Sequence, residues 1–297
     1  MSGTCRPPRL RRGRALLATA GSVAVLSACT TASSGEAAGS PPAPHLLTDS
    51  PGFNHVHGVA GEAGSDAVLV AAHNGLFRLS ADGDVQVGPT IDLMGFAMAA
   101  PGWFLASGHP GPDVDLPSSV GLIESTDQGR TWQPLSRQGQ SDFHALTASP
   151  AGVLGYDGTL RRSADGLSWE QLQIPAEPAS LSAGPDGSQV LATTEQGLLH
   201  STDAGSTWTP VPGAPLLQLV DWSVDGLTAV GVDPDGLVWT SQDGVNEWQR
   251  AALLDAPPTA LDVATTADGG SRILVVTSRA IAESRNGGQS FSDIRRD

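Results

Sequence analysis

Five histidines and one methionine occupy positions in the first half of the chain that suit metal binding. They are His55, His57, Met94, His73, His109 and His144. His55 and His57 flank a valine in the segment FNHVHGVA, and residues two apart on a strand project from the same face. Imidazole nitrogens bind zinc and copper, and a thioether from Met94 would favour Cu(I). These residue types predict a zinc or copper site, provided that the fold brings the separate segments together.

Three carboxylates are candidates for a different chemistry, glycoside hydrolysis. They are Asp142, Asp157 and Glu195. A glycosidase needs two carboxyl groups about 5–10 Å apart, one as general acid and one as nucleophile or base. Asp142 could instead serve the metal site, either as a ligand or by orienting a ligand. The same residues could also have only turn and loop roles.

An internal repeat is the most specific feature of the chain. STDQGRTW (125–132) recurs as STDAGSTW (201–208), with weaker copies SADGLSW, SQDGVNEW and SRNGGQSF at intervals of 38 to 43 residues. That period is typical of a four-stranded propeller blade. The acid can accept turn N–H groups, the glycine supplies a positive φ, and the tryptophan buries a large ring. We therefore assign structural roles to Asp127, Asp165, Asp203, Asp243, Asn286, Trp132, Trp169, Trp208 and Trp248.

The repeat predicts an all-β protein, a β-propeller of six four-stranded blades with seven as the alternative. The predicted blades are 55–92, 94–141, 144–175, 178–215, 216–256 and 258–297. The segment HLLTD before the first blade could add a strand that closes the ring. Strands alternate in direction, so the repeated turns mark one face and the candidate ligands gather at the opposite mouth, in blades one to three. The alternative is that each histidine there caps a loop.

The pattern S-x-D-x-G-x-T-W resembles the Asp-box, or BNR repeat, of sialidase-like propellers. Together with HVHG, HNGLF, ASGHPG and DFHAL, it resembles bacterial propeller lipoproteins loosely named glycosylhydrolase or exo-sialidase-like. The resemblance covers about residues 50–297. It implies the fold and leaves three functions open: ligand binding, glycoside hydrolysis, and scaffolding as in sortilin-type receptors or photosystem assembly factors.

True sialidase activity is not expected from the residues present. It would need three arginines that clamp the substrate carboxylate at the mouth. Arg78, Arg161 and Arg162 fall on third strands that lead towards the repeated turns, which is the wrong face. Tyr156, the one tyrosine, has no obvious glutamate partner.

The charge of the chain restricts its partners. It has 31 acidic residues against 16 arginines, no lysine, and a formal charge of −15. Five of those arginines precede Cys29, so the remainder is more acidic still. Such a surface repels phosphate backbones, which makes nucleic acid an unsuitable partner. A glycan or an extracytoplasmic protein remains possible as a partner.

The N-terminus has the pattern of an export signal. Residues 1–28 combine a basic RPPRLRRGR with an apolar ALLATAGSVAVLSA, too short to span a bilayer. They end in LSAC, which resembles a lipobox and predicts lipidation of Cys29. Residues 29–54 then form a flexible tether to the propeller at 55–297. We expect a protein anchored by lipid to the outer face of a bacterial cytoplasmic membrane, exported by either the general or the twin-arginine route.

Overall fold

The computed structural model describes residues 45–46, 53, 55–62 and 64–296. The predicted signal, Cys29 and most of the tether lie outside these residues. The described chain forms six antiparallel sheets of four blade strands each and no α-helix. It follows that no helix in this part of the chain could cross a membrane.

Each blade is a meander of four consecutive strands. Blade one has β2 (Val56–Gly61), β3 (Val68–Ala72), β4 (Gly75–Ser80) and β5 (Gly83–Val87). Blade two has β6 (Ile91–Ala100), β7 (Trp103–Pro110), β8 (Leu122–Ser125) and β9 (Gln133–Ser136). Blade three has β10 (Ala145–Ser149), β11 (Gly152–Tyr156), β12 (Leu160–Ser163) and β13 (Glu170–Gln171). Blade four has β14 (Pro178–Ala183), β15 (Val190–Thr194), β16 (Gly197–Ser201) and β17 (Thr209–Pro210). Blade five has β18 (Leu219–Trp222), β19 (Ala229–Val232), β20 (Leu237–Ser241) and β21 (Gln249–Leu253). Blade six has β22 (Pro258–Thr265), β23 (Ser271–Thr277), β24 (Ala280–Ser284) and β25 (Ser292–Arg296).

The first strands of the blades form a closed ring. β2, β6, β10, β14, β18 and β22 each contact the next in this order, and β22 contacts β2 again. The prediction of a six-bladed β-propeller is confirmed, and the described residues contain no seventh blade. A two-residue strand, β1 (His45–Leu46), pairs in parallel with β25. Part of the HLLTD segment thus adds a fifth strand to the last blade.

The hydrophobic core is divided among the junctions between blades. Six clusters of buried side chains are present, and each one joins two neighbouring blades. Strands such as β3 are buried along their whole length because both faces of the blade are covered. Burial of apolar surface therefore stabilises the ring as a whole, since no blade can bury its faces alone.

The repeated turns hold the hydrogen bonds that fix their shape. Asp203 Oδ1 accepts from Ser201 Oγ and from Thr207 N, each at 2.8 Å, and Oδ2 accepts from Thr207 Oγ1 at 2.8 Å. These bonds, first of all the one from Thr207 N, lower the pKa of Asp203. The other repeats make matching bonds through Asp127, Asp165, Asp243 and Asn286. Trp169 Nε1 donates to Ser136 Oγ of the preceding blade at 2.9 Å.

A belt of side-chain acceptors ties the inner strand of one blade to that of the next. The acceptor belt consists of Thr147, Ser182, Asp221 and Asp262, which accept from the backbone N–H groups of Ala183, Trp222, Val263 and Gly61 at 3.1, 3.1, 2.8 and 2.9 Å respectively. Each bond crosses a junction between blades. The last one, from Gly61 N to Asp262 Oδ2, joins blade one to blade six and closes the ring.

Arg272 of β23 reinforces this closing junction from within the core. Its side chain is 1% exposed, and its Nη atoms donate to the carbonyls of Ala67 and Asp66 in blade one. Its Nε lies 2.6 Å from Glu283 Oε1 without the alignment of a hydrogen bond. A buried guanidinium is tolerated only where such partners compensate for its lost hydration.

Arg272→Met should destabilise the whole propeller. The change keeps the volume but removes the donors for two carbonyls and leaves Glu283 with one arginine partner, at an expected cost of about 3–5 kcal/mol. Urea unfolding followed by tryptophan fluorescence measures the effect. Arg279→Met is the control, because the exposed side chain of Arg279 donates to a single group among the described residues, the Asp255 carbonyl. Equal unfolding midpoints for the two variants would contradict a closing role for Arg272.

Candidate metal centre at the channel mouth

The first strands of all six blades line a central cavity of about 230 Å³. His57, Met94 and His144 contribute to its wall from blades one to three, and Asp221 and Asp262 from blades five and six. Three of the predicted ligands are thereby brought to one cavity. Its lining includes residues at the starts of the first strands, such as His57 and His144, which lie on the face opposite the repeated turns.

β-Bulges set the direction of the side chains at this mouth. The pairing of first and second strands shifts register at four blades, at the bulged residues His57, Met94, Ala179 and Thr259. A bulge turns a side chain away from the normal alternation. The prediction that His55 and His57 alternate along one strand is wrong, because β2 begins after His55, which has a φ of 47°. Their rings nevertheless lie 5.9 Å apart.

Three side chains at the mouth of blades one and two can hold a metal ion, and we call them the His57 group: His57, His73 and Asp92. Their ligand atoms all lie within 4.8 Å of one another. Asp92 Oδ1 is 4.0 Å from His57 Nε2 and 3.9 Å from His73 Nε2. His57 Nε2 and Asp92 Oδ1 are buried without a hydrogen-bond partner among the described residues. Burial, and then the neighbouring His73, lower the pKa of His57, which favours the neutral, ligating imidazole.

The sequence analysis missed Asp92. Its neighbours Ile91 and Leu93 are buried, so the alternation of the segment IDL does mark Asp92 as a residue on the other side of β6. What the alternation could not show is that this side faces the histidines of blade one. His55 lies beside the group, with its ring 5.3 Å from that of His73.

A second set of three side chains lies at blades two and three, and we call it the His109 group: His109, Asp142 and His144. Asp142 Oδ2 is 3.2 Å from His109 Nε2 and 3.0 Å from His144 Nε2. Asp142 Oδ1 is buried without a partner among the described residues. Phe143, fully buried and stacked on Trp169, holds the two flanking side chains outward.

The two groups meet at one strand pair. Asp92 of β6 and His109 of β7 are direct cross-strand partners. Gly108 makes this pairing possible: a Cβ there would lie 1.9 Å from the Asp92 carbonyl oxygen, and its φ is 143°. Four of the five predicted histidines are thus divided between two adjacent groups, and His55 lies beside the first group. Met94 lines the cavity between the blades without belonging to either group.

The remaining catalytic candidates lie in different surroundings. Asp157 is largely buried and accepts from Ser141 Oγ at 2.5 Å and from Arg161 Nε at 3.0 Å. Arg161 thus reaches back to the turn that holds Asp157, away from the repeated turns to which its strand leads. Glu195 is exposed in the turn between β15 and β16 of blade four. Of the three carboxylates, Asp142 alone contacts the histidines.

The belt residues Asp221 and Asp262 carry the most perturbed carboxyl groups of the cavity. Burial raises the pKa of Asp221 to about 6. Burial, and then the charge of Asp221, raise the pKa of Asp262 to about 7, against a lowering effect of the Gly61 N–H and of Arg272. Both residues are of intermediate exposure at the wall of the channel. Folding therefore favours the protonated form of the Asp221 and Asp262 carboxyl groups, which belong to the belt.

Two glycoside hydrolases of known structure share the fold. An ancestral GH74 enzyme matches 85% of this chain and 39% of its own, with 13% identity and a TM-score of 0.53. The GH74 xyloglucanase from Xanthomonas campestris matches 82% of this chain and 45% of its own, with 16% identity and a TM-score of 0.52. The chain thus spans less than half of either enzyme, and identities this low show a common fold alone. No protein-family model and no curated protein matches the chain.

A structure titled YCF48 bound to D1 peptide matches 70% of each chain, with 18% identity and a TM-score of 0.45.

Asp262→Asn should stabilise the protein more at pH 8 than at pH 5. Because the pKa of Asp262 is higher in the folded protein than its ordinary value of 3.8, the associated stability is full below about pH 4 and is lost as the pH rises through about 7. We expect the wild type to lose about 1–3 kcal/mol more than Asp262→Asn between pH 5 and pH 8, measured by thermal unfolding.

Asp262→Ala is the matched control for this pH effect. It removes the charge and also the acceptor for Gly61 N, so it should destabilise the protein at both pH values. Parallel pH profiles of the wild type and Asp262→Asn would contradict a carboxyl with a raised pKa in the belt.

Proposed function

We propose that the protein binds one divalent transition-metal ion, zinc or copper, at the His57 group. The observation that carries this proposal is a pair of buried ligand atoms, His57 Nε2 and Asp92 Oδ1, which face each other at the mouth and have no hydrogen-bond partner within the described residues.

The spacing of the group suits an ion better than a hydrogen bond. The distances of 3.9 and 4.0 Å to Asp92 Oδ1 are too long for a hydrogen bond. Zinc binds imidazole nitrogens and carboxylate oxygens at about 2.0–2.2 Å, so two ligands of one ion lie at most about 4.4 Å apart. An ion between the three side chains would compensate both buried atoms at once. Without it, each costs about 1–3 kcal/mol of desolvation.

The donor set favours Zn²⁺ or Cu²⁺. Two neutral imidazoles and one carboxylate leave at least one coordination position open for water or a ligand, as in catalytic zinc sites. His55 is close enough to support the ring of His73 or to join the ion after a side-chain rotation. Cu(I) binding would require the thioether of Met94 to approach the group from its place on the cavity wall.

We also propose that the site works outside the cell. The sequence features that support this are the export signal at 1–28, the lipobox cysteine Cys29 and the tether at 29–54. We take the repeated turns to be Asp-boxes, on their sequence pattern and hydrogen bonds. Only the shared fold supports a glycosidase function, and no specific contact among the described residues supports a scaffold function. We therefore put neither forward as the leading function.

Metal titration tests the proposal. Full-length protein in detergent, purified without a polyhistidine tag and stripped with EDTA, is titrated with Zn²⁺ and with Cu²⁺ against a chromophoric chelator. We expect Asp92→Asn to weaken ion binding at the His57 group at least tenfold, because the amide removes the anionic ligand. Asp115→Asn, an exposed aspartate in the long loop after β7, should bind as the wild type does. A wild type without affinity above the chelator would overturn the proposal.

Cys29→Ala should release the protein from the membrane. The alanine cannot accept the lipid, so the chain should move from the membrane to the soluble fraction of a bacterial host. Metabolic labelling with an alkyne fatty acid provides a second readout. Labelling of the Cys29→Ala variant would contradict lipidation at this cysteine.

A further inference from the structure

We propose that the His109 group is a second metal site, so that the mouth takes two zinc or copper ions. This inference extends the proposed function and stands on different residues: no side chain of the His109 group belongs to the His57 group.

The tautomer of His109 is the first argument. Its Nδ1 lies 2.6 Å from the carbonyl oxygen of Ser118, and because a carbonyl can only accept, Nδ1 donates. In the neutral ring Nε2 then carries a lone pair, which faces the carboxylate of Asp142 at 3.2 Å. Two acceptors at this distance repel each other, so the contact needs either a proton on Nε2 or a metal ion that both atoms bind. In metal sites, the ring nitrogen of a histidine that does not bind the metal usually donates to a carbonyl or carboxylate. The Ser118 carbonyl is such a partner for Nδ1 of His109, and it leaves Nε2 as the ligand atom.

The unsatisfied oxygen of Asp142 is the second argument. Oδ2 already has both histidines, whereas Oδ1 is buried and has no partner among the described residues. A carboxylate accepts at both oxygens, and a buried anionic oxygen without a partner is costly. An ion bound by His109 Nε2 and by the Asp142 carboxylate would interact with the lone pair of Nε2 and with Oδ1, the oxygen that has no partner among the described residues.

His144 completes the second site. Its ring is 63% exposed, so it can rotate to bring a nitrogen to the ion without disturbing the core. The backbone beneath it is fixed, because His144 N donates to the Tyr156 carbonyl and Phe143 N donates to Ser107 Oγ. The donor set is again two imidazoles and one carboxylate, which is the chemistry of a divalent zinc or copper ion.

One ion cannot serve both groups in this geometry. Among the described residues, the His57 group is the one set of three whose ligand atoms all lie within 4.8 Å of one another, which excludes His109 and His144 from it. The His109 group therefore closes around an ion only after the ring of His144 rotates towards His109. The cross-strand pair of Asp92 and His109 nevertheless keeps the groups adjacent. Each group brings its own carboxylate, which offsets the repulsion between two neighbouring cations.

Counting the ions in single and double variants tests the inference. Full-length protein is dialysed against Zn²⁺, and bound metal is measured by mass spectrometry with inductively coupled plasma. We expect two ions in the wild type and in Asp115→Asn, one in Asp142→Asn, one in Asp92→Asn, and none in the double variant. His109→Gln repeats the test at an exposed ligand, and circular dichroism checks that each variant is folded.

The outcomes separate this inference from the proposed function. One ion in the wild type, kept in Asp142→Asn and lost in Asp92→Asn, would overturn the second site and leave the His57 group standing. One ion that both Asp92→Asn and Asp142→Asn abolish would mean a single shared ion and would also overturn the second site. One ion kept in Asp92→Asn and lost in Asp142→Asn would overturn the proposed function alone. No ion in the wild type would overturn both.

Discussion

The acceptor belt is the constraint on which the rest of this molecule depends. Six blades that each bury both faces must meet in a ring, and the first and last blades meet without a covalent link. The bond from Gly61 N to Asp262 and the buried guanidinium of Arg272 hold that junction. Hydrophobic burial drives the blades together without direction, whereas these hydrogen bonds fix the register between neighbours.

The belt bonds cross the junctions from blade three round to blade one, and the bond from Phe143 N to Ser107 Oγ joins blade two to blade three. The mouth takes its geometry from the ring that these bonds hold closed. Each candidate metal group takes its members from two neighbouring blades: one across the junction of blades one and two, the other across the junction of blades two and three. A small slip between the blades would separate the carboxylate from its histidines. The bulges at His57 and Met94 then turn individual side chains to the cavity, and Phe143 anchors the loop that carries Asp142. Rigid blades thus carry a site made almost entirely of loop and strand-end residues.

The polar groups of the channel are of two kinds. In the belt, Asp221 and Asp262 have backbone donors from the next blade and raised pKa values, which suits a structural role. At the mouth, His57, Asp92 and Asp142 keep buried atoms that have no partner in the described part of the chain. Native proteins rarely leave such atoms unsatisfied, and the ions that we propose at the mouth would compensate them. The belt acids thus have partners from the fold itself, whereas the mouth acids are the ones that we propose as ligands.

The sequence by itself determined the six-bladed propeller, because the repeat S-x-D-x-G-x-T-W carries both the blade period and the turn chemistry. It also identified most of the histidines, since imidazoles in loops opposite the repeated turns must gather at one mouth. Only the tertiary structure decided that they form two groups, that Asp92 completes the first, and that Asp142 joins His109 to His144. The physical reason is that contacts between blades depend on bulges, on Gly108 and on the register of neighbouring sheets, which local sequence patterns do not encode.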